Sequence, residues 1–74
     1  MADKTLDCKG LVCPMPIVKT SKASKEMTNG QVLEVLSTDK AFQADIQAWC
    51  KQTGNNLTAF SEADSVFSAE ITIK

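Results

Sequence analysis

LVCPMPIVKT, Leu11 to Thr20, holds both prolines of the chain, and they bracket a single methionine directly behind a cysteine. Proline fixes its own φ and removes a backbone N–H, which is harmful inside a helix and harmless in its first turn, where that N–H has no partner. The pair therefore marks the start of a helix. Pro14 suits the first helical position and Pro16 lies among the orphaned amides that follow, so Cys13 is expected as the cap. A residue before proline is pushed out of the α region, which predicts extended angles for Cys13 and a thiol near the positive end of the helix dipole. Helix N-termini are among the settings that lower a cysteine pKa from about 8.5, so the reading at this point is a reactive thiolate.

Outward from that stretch, helical spacing is predicted from Pro14 to about Thr28. Ile17, Ala23 and Met27 lie on one side, and Lys19, Lys22, Lys25 and Glu26 lie largely on the other. Thr20 and Ser24 fall where the apolar stripe would continue. Asn29-Gly30 is expected to end the helix. Before it, Thr5 to Cys8 reads as a short edge strand. After it, Val32 to Leu36 is a β-branched and leucine-rich run short enough for a strand inside the sheet. Thr38 and Asp39 offer an N-cap for a second helix in which Phe42, Ile46, Trp49 and Cys50 share one face, closed by Gly54. Leu57, Ala59 and Ser61 alternate with Thr58, Phe60 and Glu62. A turn at Ala63-Asp64-Ser65 leads to Phe67, Ala69, Ile71 and Ile73 alternating with Ser68, Glu70 and Thr72, which predicts a terminal hairpin.

The order β-α-β-α-β-β, with two amphipathic helices and strands that have one polar face, predicts an α+β fold: a two-layer sandwich with both helices on one face of a four-stranded mixed sheet. Seventy-four residues make one small domain, expected over residues 1–74. No apolar run approaches the ~18 residues that span a bilayer, and MADKTLD lacks the basic flank and apolar stretch of a signal peptide, so the expectation is a cytoplasmic protein with no membrane role. Net charge is −1 and the basic residues are all lysines, spread along the chain, with no arginine or tyrosine. Nucleic-acid binding usually needs arginine forks, a basic face and interleaved aromatics, so no direct nucleic-acid partner is expected.

Cys8, Cys13 and Cys50 are an odd set, which fits a reducing compartment better than a paired disulfide framework. With no histidine in the chain, no cysteine–histidine machinery can form. Three cysteines at these spacings fall short of a zinc site, so neither a metal nor another cofactor is expected. Cys50 beside Trp49 reads as core. Free cysteine often behaves as a small buried hydrophobe, and Cys13 is set apart from that pattern by its placement at a helix start. What remains is a thiol without equipment to activate a second substrate, which describes a carrier: a thiolate can hold sulfane sulfur as a persulfide and pass it on by exchange. Two other readings stay open, a redox-regulated interaction module using a Cys8–Cys13 disulfide and a purely structural interaction domain.

DCKGLVCPMPIVKTSKA, followed by GQVLEVLSTD and the final hairpin, resembles the TusA family of sulfur carriers, also called SirA-like or YedF-like, over nearly the whole chain. The family's Cys-Pro-x-Pro is met by Cys13, Pro14, Met15 and Pro16, preceded by its Asp-x-basic-Gly as Asp7, Cys8, Lys9 and Gly10. The resemblance implies a βαβαββ fold similar to the C-terminal domain of translation initiation factor three. It implies that Cys13 takes persulfide sulfur from a cysteine desulfurase or a rhodanese and gives it to DsrE-like or other acceptors, in tRNA thiolation, cofactor biosynthesis or sulfur oxidation. Asp7 and Gly10 would then shape the approach loop, and Lys9, Lys19 and Lys22 would contribute to a docking face. Cys8, where many members carry no thiol, would be a second sulfur. A carrier of 8.0 kDa that meets several partners is expected as a monomer.

Overall fold

Val32–Ser37 (β2) alternates between half-buried and buried residues, with Leu33, Val35 and Ser37 closed off from solvent. That alternation sets the architecture: one face of the strand lies under helices and the other, with Val32, Glu34 and Leu36, is half-buried. The computed structural model describes residues 2–74; Met1, first of the residues assigned to the single domain, lies outside them. Lys4–Cys8 (β1) pairs parallel with β2, Leu6 opposite Val35 and Cys8 opposite Ser37. Asn56–Ala63 (β3) and Val66–Thr72 (β4) form the terminal hairpin, and the sheet order is β1-β2-β4-β3. The sheet is mixed, β1 is an edge strand and β2 is interior, as its sequence predicts. Two helices, Met15–Lys25 (α1) and Phe42–Thr53 (α2), pack on one face. On the opposite face, Glu34 accepts hydrogen bonds from the hydroxyls of Thr5 (3.3 Å) and Ser68 (3.1 Å). Among the described residues no helix is long and apolar enough to cross a membrane.

α1 differs from its predicted span at both ends. It starts one residue later, with Pro14 as the cap and Pro16 in the first turn. It stops at Lys25, where Glu26 N and Met27 N donate to the carbonyls of Ala23 and Ser24 at 3.1 Å and tighten the last turn. Gly30 therefore does not end the helix; at φ 93 it turns the chain into β2, its N–H donating to Ile73 O at 2.7 Å. The thin apolar face is completed with polar residues whose hydrogen bonds are met locally. Thr20, fully buried, donates to Pro16 O at 2.7 Å, and Ser24 donates to Ser21 O at 2.8 Å.

α2 buries Phe42, Ile46, Trp49 and Cys50, the four residues its spacing selects, and ends on Gly54 at φ 80, whose N–H donates to Cys50 O at 2.9 Å. In β3 the strict alternation fails. A register shift between Leu57 and Ala59 leaves Thr58 as an extra residue, and Leu57 and Phe60, three apart, both turn to the core. The bulge has a clear physical reason, because continuous alternation from Leu57 would send Phe60 to solvent. Phe60 instead packs between Phe42 (6.1 Å between ring centroids) and Phe67 (5.8 Å). The hairpin closes through Asp64 and Ser65, both at positive φ, the signature of a two-residue turn matched to strand twist.

Burial pushes the Cys50 thiol from 9.0 up to about 11. Below pH 9 both folded and unfolded chains hold that proton, so nothing is lost. Between about pH 9 and pH 11 the unfolded chain ionises first, and folding is expected to weaken by about 2 kcal/mol across the window. Urea titrations at about pH 8 and about pH 10.5 check this: the midpoint falls in the wild type and falls less in Cys50→Ala.

Candidate functional site

Because β1 and β2 run parallel, their carboxyl ends emerge side by side, and the loops that follow them (residues 9–14 and 38–41) lie next to each other. Crevices outside the carboxyl ends of parallel strands are where open α/β sheets commonly place ligands. Here the two loops are joined by hydrogen bonds. Gly10 N donates to Thr38 Oγ1 at 3.0 Å, and Cys13 N donates to Asp39 Oδ2 at 2.8 Å. Asp39 Oδ1 also accepts from Ala41 N at 3.2 Å, and its carbonyl accepts from Phe42 N at 3.1 Å. Asp39 thus spans both loops. Rather than capping α2 directly, as its position suggests, it organises the turn before the helix, where the cap is Ala41.

Asp7 shapes the first loop from its start, accepting from Lys9 N at 3.0 Å with the Lys9 ammonium 4.0 Å from its other oxygen. Gly10 sits at φ 83, and a Cβ placed there would meet nothing within 4 Å. Its requirement is the left-handed backbone alone, since the space is open. Leu11 N returns to Cys8 O at 3.1 Å, Met15 N to Val12 O at 2.9 Å and Val18 N to Pro14 O at 3.0 Å, which brings the chain round into α1. The Cys13–Pro14 peptide is cis.

Cys13 is exposed, while Cys8 and Cys50 are buried, and all three thiols are free. Its thiol opens on a cleft of about 260 Å³ between α1 and α2, lined by Pro14, Ile17, Asp45, Trp49 and neighbouring residues. An adjoining groove shares Pro14, Ile17 and Trp49 and continues along α1 to Lys22 and Lys25. The start of α1 beside the cleft exposes apolar side chains, Val12 at 69%, Met15 at 41% and Val18 at 50%.

The electrostatics reverse the expectation of a lowered thiol pKa. The Cys13 thiol is pushed up, first by the Asp45 carboxylate that shares its cleft, then by partial desolvation and by the negative charge of Asp39. The reversal has its source on another element: α2 brings the Asp45 carboxylate into the cleft on which the thiol opens. Cys8 does not join the site. It is 0% exposed within the core, its pKa is raised mainly by burial, and a Cys8–Cys13 disulfide would require that core to open.

The predicted docking lysines separate. Lys22 reaches the groove that adjoins Cys13 and also lines a hollow of about 200 Å³ with Lys19, Lys4 and Glu26 beside β1; Lys9 stays with Asp7. Asp39, Asp45 and Trp49 belong to the site although sequence reasoning left them out. The available signal was Asp45 four residues before Trp49 on α2, one turn along the same face.

The profile of the Sulfurtransferase TusA family matches residues 4–73. A candidate sulfur carrier of Aquifex aeolicus is 50% identical over 84% of this chain, which spans only 32% of that protein. YrkI of Bacillus subtilis, also named as a candidate sulfur carrier, is 55% identical over 76% of this chain and 75% of its own length. The sulfur carrier protein TusA of Allochromatium vinosum is 43% identical over 88% of this chain and 86% of its own. The crystal structure of a SirA-like protein from Desulfitobacterium hafniense superposes with a TM-score of 0.84 at 28% identity, covering 93% of this chain and 95% of that one.

Proposed function

The chain belongs to the Sulfurtransferase TusA family, and from that premise we propose that it is a sulfur carrier whose cargo sits on Cys13 as a persulfide. The observation that carries the reading is the contrast among its thiols: one is exposed at the open end of a cleft on a hydrogen-bonded loop, and two are enclosed. Loading is an exchange. The Cys13 sulfur attacks the terminal sulfur of a donor persulfide, a new S–S bond forms, the donor's own S–S bond breaks, and the departing donor thiolate takes up the proton that Cys13 gave. The sum, Cys13–SH plus donor–S–SH giving Cys13–S–SH plus donor–SH, needs no external oxidant. Delivery repeats the step with the acceptor thiol as attacker.

A cysteine desulfurase or a rhodanese is the proposed donor, and a DsrE-like or other thiol-bearing protein the proposed acceptor. With no histidine available, activation of the thiol falls to the partner. Asp7 and Gly10 set the loop, and Pro14 forms both the helix cap and the wall of the cleft. A thiol that must stay reduced suits the cytoplasm. Intact-protein mass spectrometry after incubation with a desulfurase and cysteine, or a rhodanese and thiosulfate, tests the reading: a reductant-reversible gain of one sulfur, ~32 Da, mapped to the Cys13 peptide, is expected. Absence of that gain with both donors overturns it.

A further inference from the structure

The cleft at Cys13 contains negative charge that the chain itself leaves uncompensated. Asp45, half-buried in the first turn of α2, faces the cleft, and Asp39 holds the Cys13 amide from the neighbouring loop. Among the described residues the ion pairs are Lys4–Glu26 and Lys9–Asp7, so no cation pairs with either carboxylate. The charged groups around the thiol can be taken element by element. α2 contributes Asp45, and the β2–α2 loop contributes Asp39 and an exposed Lys40 that pairs with neither. α1 contributes only apolar residues to the cleft itself, its Lys22 and Lys25 lining the adjoining groove. The rest of the lining is Pro14, Ile17, Ala48, Trp49 and Gln52, largely apolar, so a carboxylate beside the thiol is screened less than one on an open surface.

We infer that Asp45 is a positioning residue with two connected roles: from its place in the same cleft its charge restrains the Cys13 thiol in the free carrier, and it is the seat for a lysine or arginine side chain that the sulfur donor sets into the cleft. The inference rests on the sulfur-carrier reading and gives that reading a gate. In the absence of a partner, the thiol is a reluctant nucleophile towards stray electrophiles. When a donor cation pairs with Asp45, the carboxylate no longer opposes the thiolate, and attack begins where a donor sulfur is already in place. Asp39 cannot serve as freely, because both its carboxylate oxygens are committed to backbone N–H groups. A purely structural role for Asp45, a carboxylate stabilising the N-terminal turn of α2, would leave thiol chemistry unaffected by its replacement.

Two charged disulfides separate the roles. Cystamine carries ammonium groups and 3,3′-dithiodipropionate carries carboxylates; each forms a mixed disulfide as Cys13 sulfur attacks, the probe's S–S bond breaks and one probe thiol leaves. In the wild type, cystamine is expected to react about tenfold faster than the anionic probe, and salt at about 1 M should remove most of the difference, since the Debye length there is ~3 Å. Asp45→Asn should reduce the preference to about twofold and raise the rate with neutral iodoacetamide at neutral pH severalfold, with the pH–rate profile displaced to lower pH. Asp45→Glu should restore both. An Asp45→Asn protein with the wild-type charge preference and the wild-type iodoacetamide profile overturns the inference. The carrier reading is judged apart from it, by the mass gain of the wild type with a sulfur donor: loading with unchanged probe selectivity removes the gate and keeps the carrier, and failure to load removes the carrier whatever the probes report.

Discussion

Cys13→Ser loses the whole sulfur mass gain and unfolds at the wild-type urea concentration. The two halves of that result have separate causes. Loading is lost because a serine hydroxyl at neutral pH is a far weaker nucleophile than a thiol with even a small thiolate fraction. Stability is kept because the exposed Cys13 side chain sits outside the core, while the contact that fixes the loop runs through the backbone N–H to Asp39 at 2.8 Å, which serine retains. Exposed substitutions of this kind stay within about 0.5 kcal/mol. Cys8→Ser and Cys50→Ser should give the opposite pattern. Each buries a hydroxyl where Cys8 is 0% and Cys50 4% exposed, which costs about 1–3 kcal/mol when the group finds no partner, yet each should still load. Intact mass and urea titration on the three variants check both halves. Loading that persists in Cys13→Ser would place the cargo on another thiol.

Phe42→Ala is expected to leave a substantial unfolded fraction at physiological temperature. Phe42 is 1% exposed, opens α2, and its ring stacks on Phe60, which in turn meets Phe67. Truncating such a ring costs about 3–5 kcal/mol, from lost burial and the cavity left behind. A chain of 74 residues has in total about 4–11 kcal/mol at 0.05–0.15 kcal/mol per residue. The loss therefore takes a large share of everything available. It also removes the packing that gives the β3 bulge its purpose, so Phe60 should gain exposure. Urea titration followed by the fluorescence of Trp49, the only tryptophan, measures the effect; a midpoint shifted by less than a quarter of the wild-type value would show that Phe60 and Phe67 collapse into the space.

Periodicity made most of this fold legible before any coordinates. The face of α2, the interior position of β2, the inward residues of β4 and the glycine that ends α2 all follow from spacings within one element. The misreadings share a setting: each involves a residue far along the chain. α1 begins one residue later than its prolines suggest, and the Cys13 N–H before it is held by Asp39, 26 positions away. Gly30, left free once α1 closes at Lys25, turns towards β4, where Ile73 O takes its N–H. The period-2 pattern of β3 breaks at Thr58 because Phe42 and Phe67 offer Phe60 a place that strict alternation denies it. At the site, Cys13, Pro14 and Gly10 were legible from local backbone rules, and the charge around the thiol was not. A helix dipole is a property of one segment, whereas Asp45 arrives on another.

The joined loops at the ends of β1 and β2 carry one more consequence. A surface loop normally surrenders its amide protons to deuterium within seconds. The Cys13 and Gly10 amides, each donated to a side chain of the opposite loop, should exchange only when the two loops part, and should therefore lag behind the amide of exposed Lys40. Their lag time would report how often this end of the sheet opens. If openings are rare, a partner meets the sulfur site already in its bound shape, so little entropy is lost in ordering it and encounters can remain brief without losing aim.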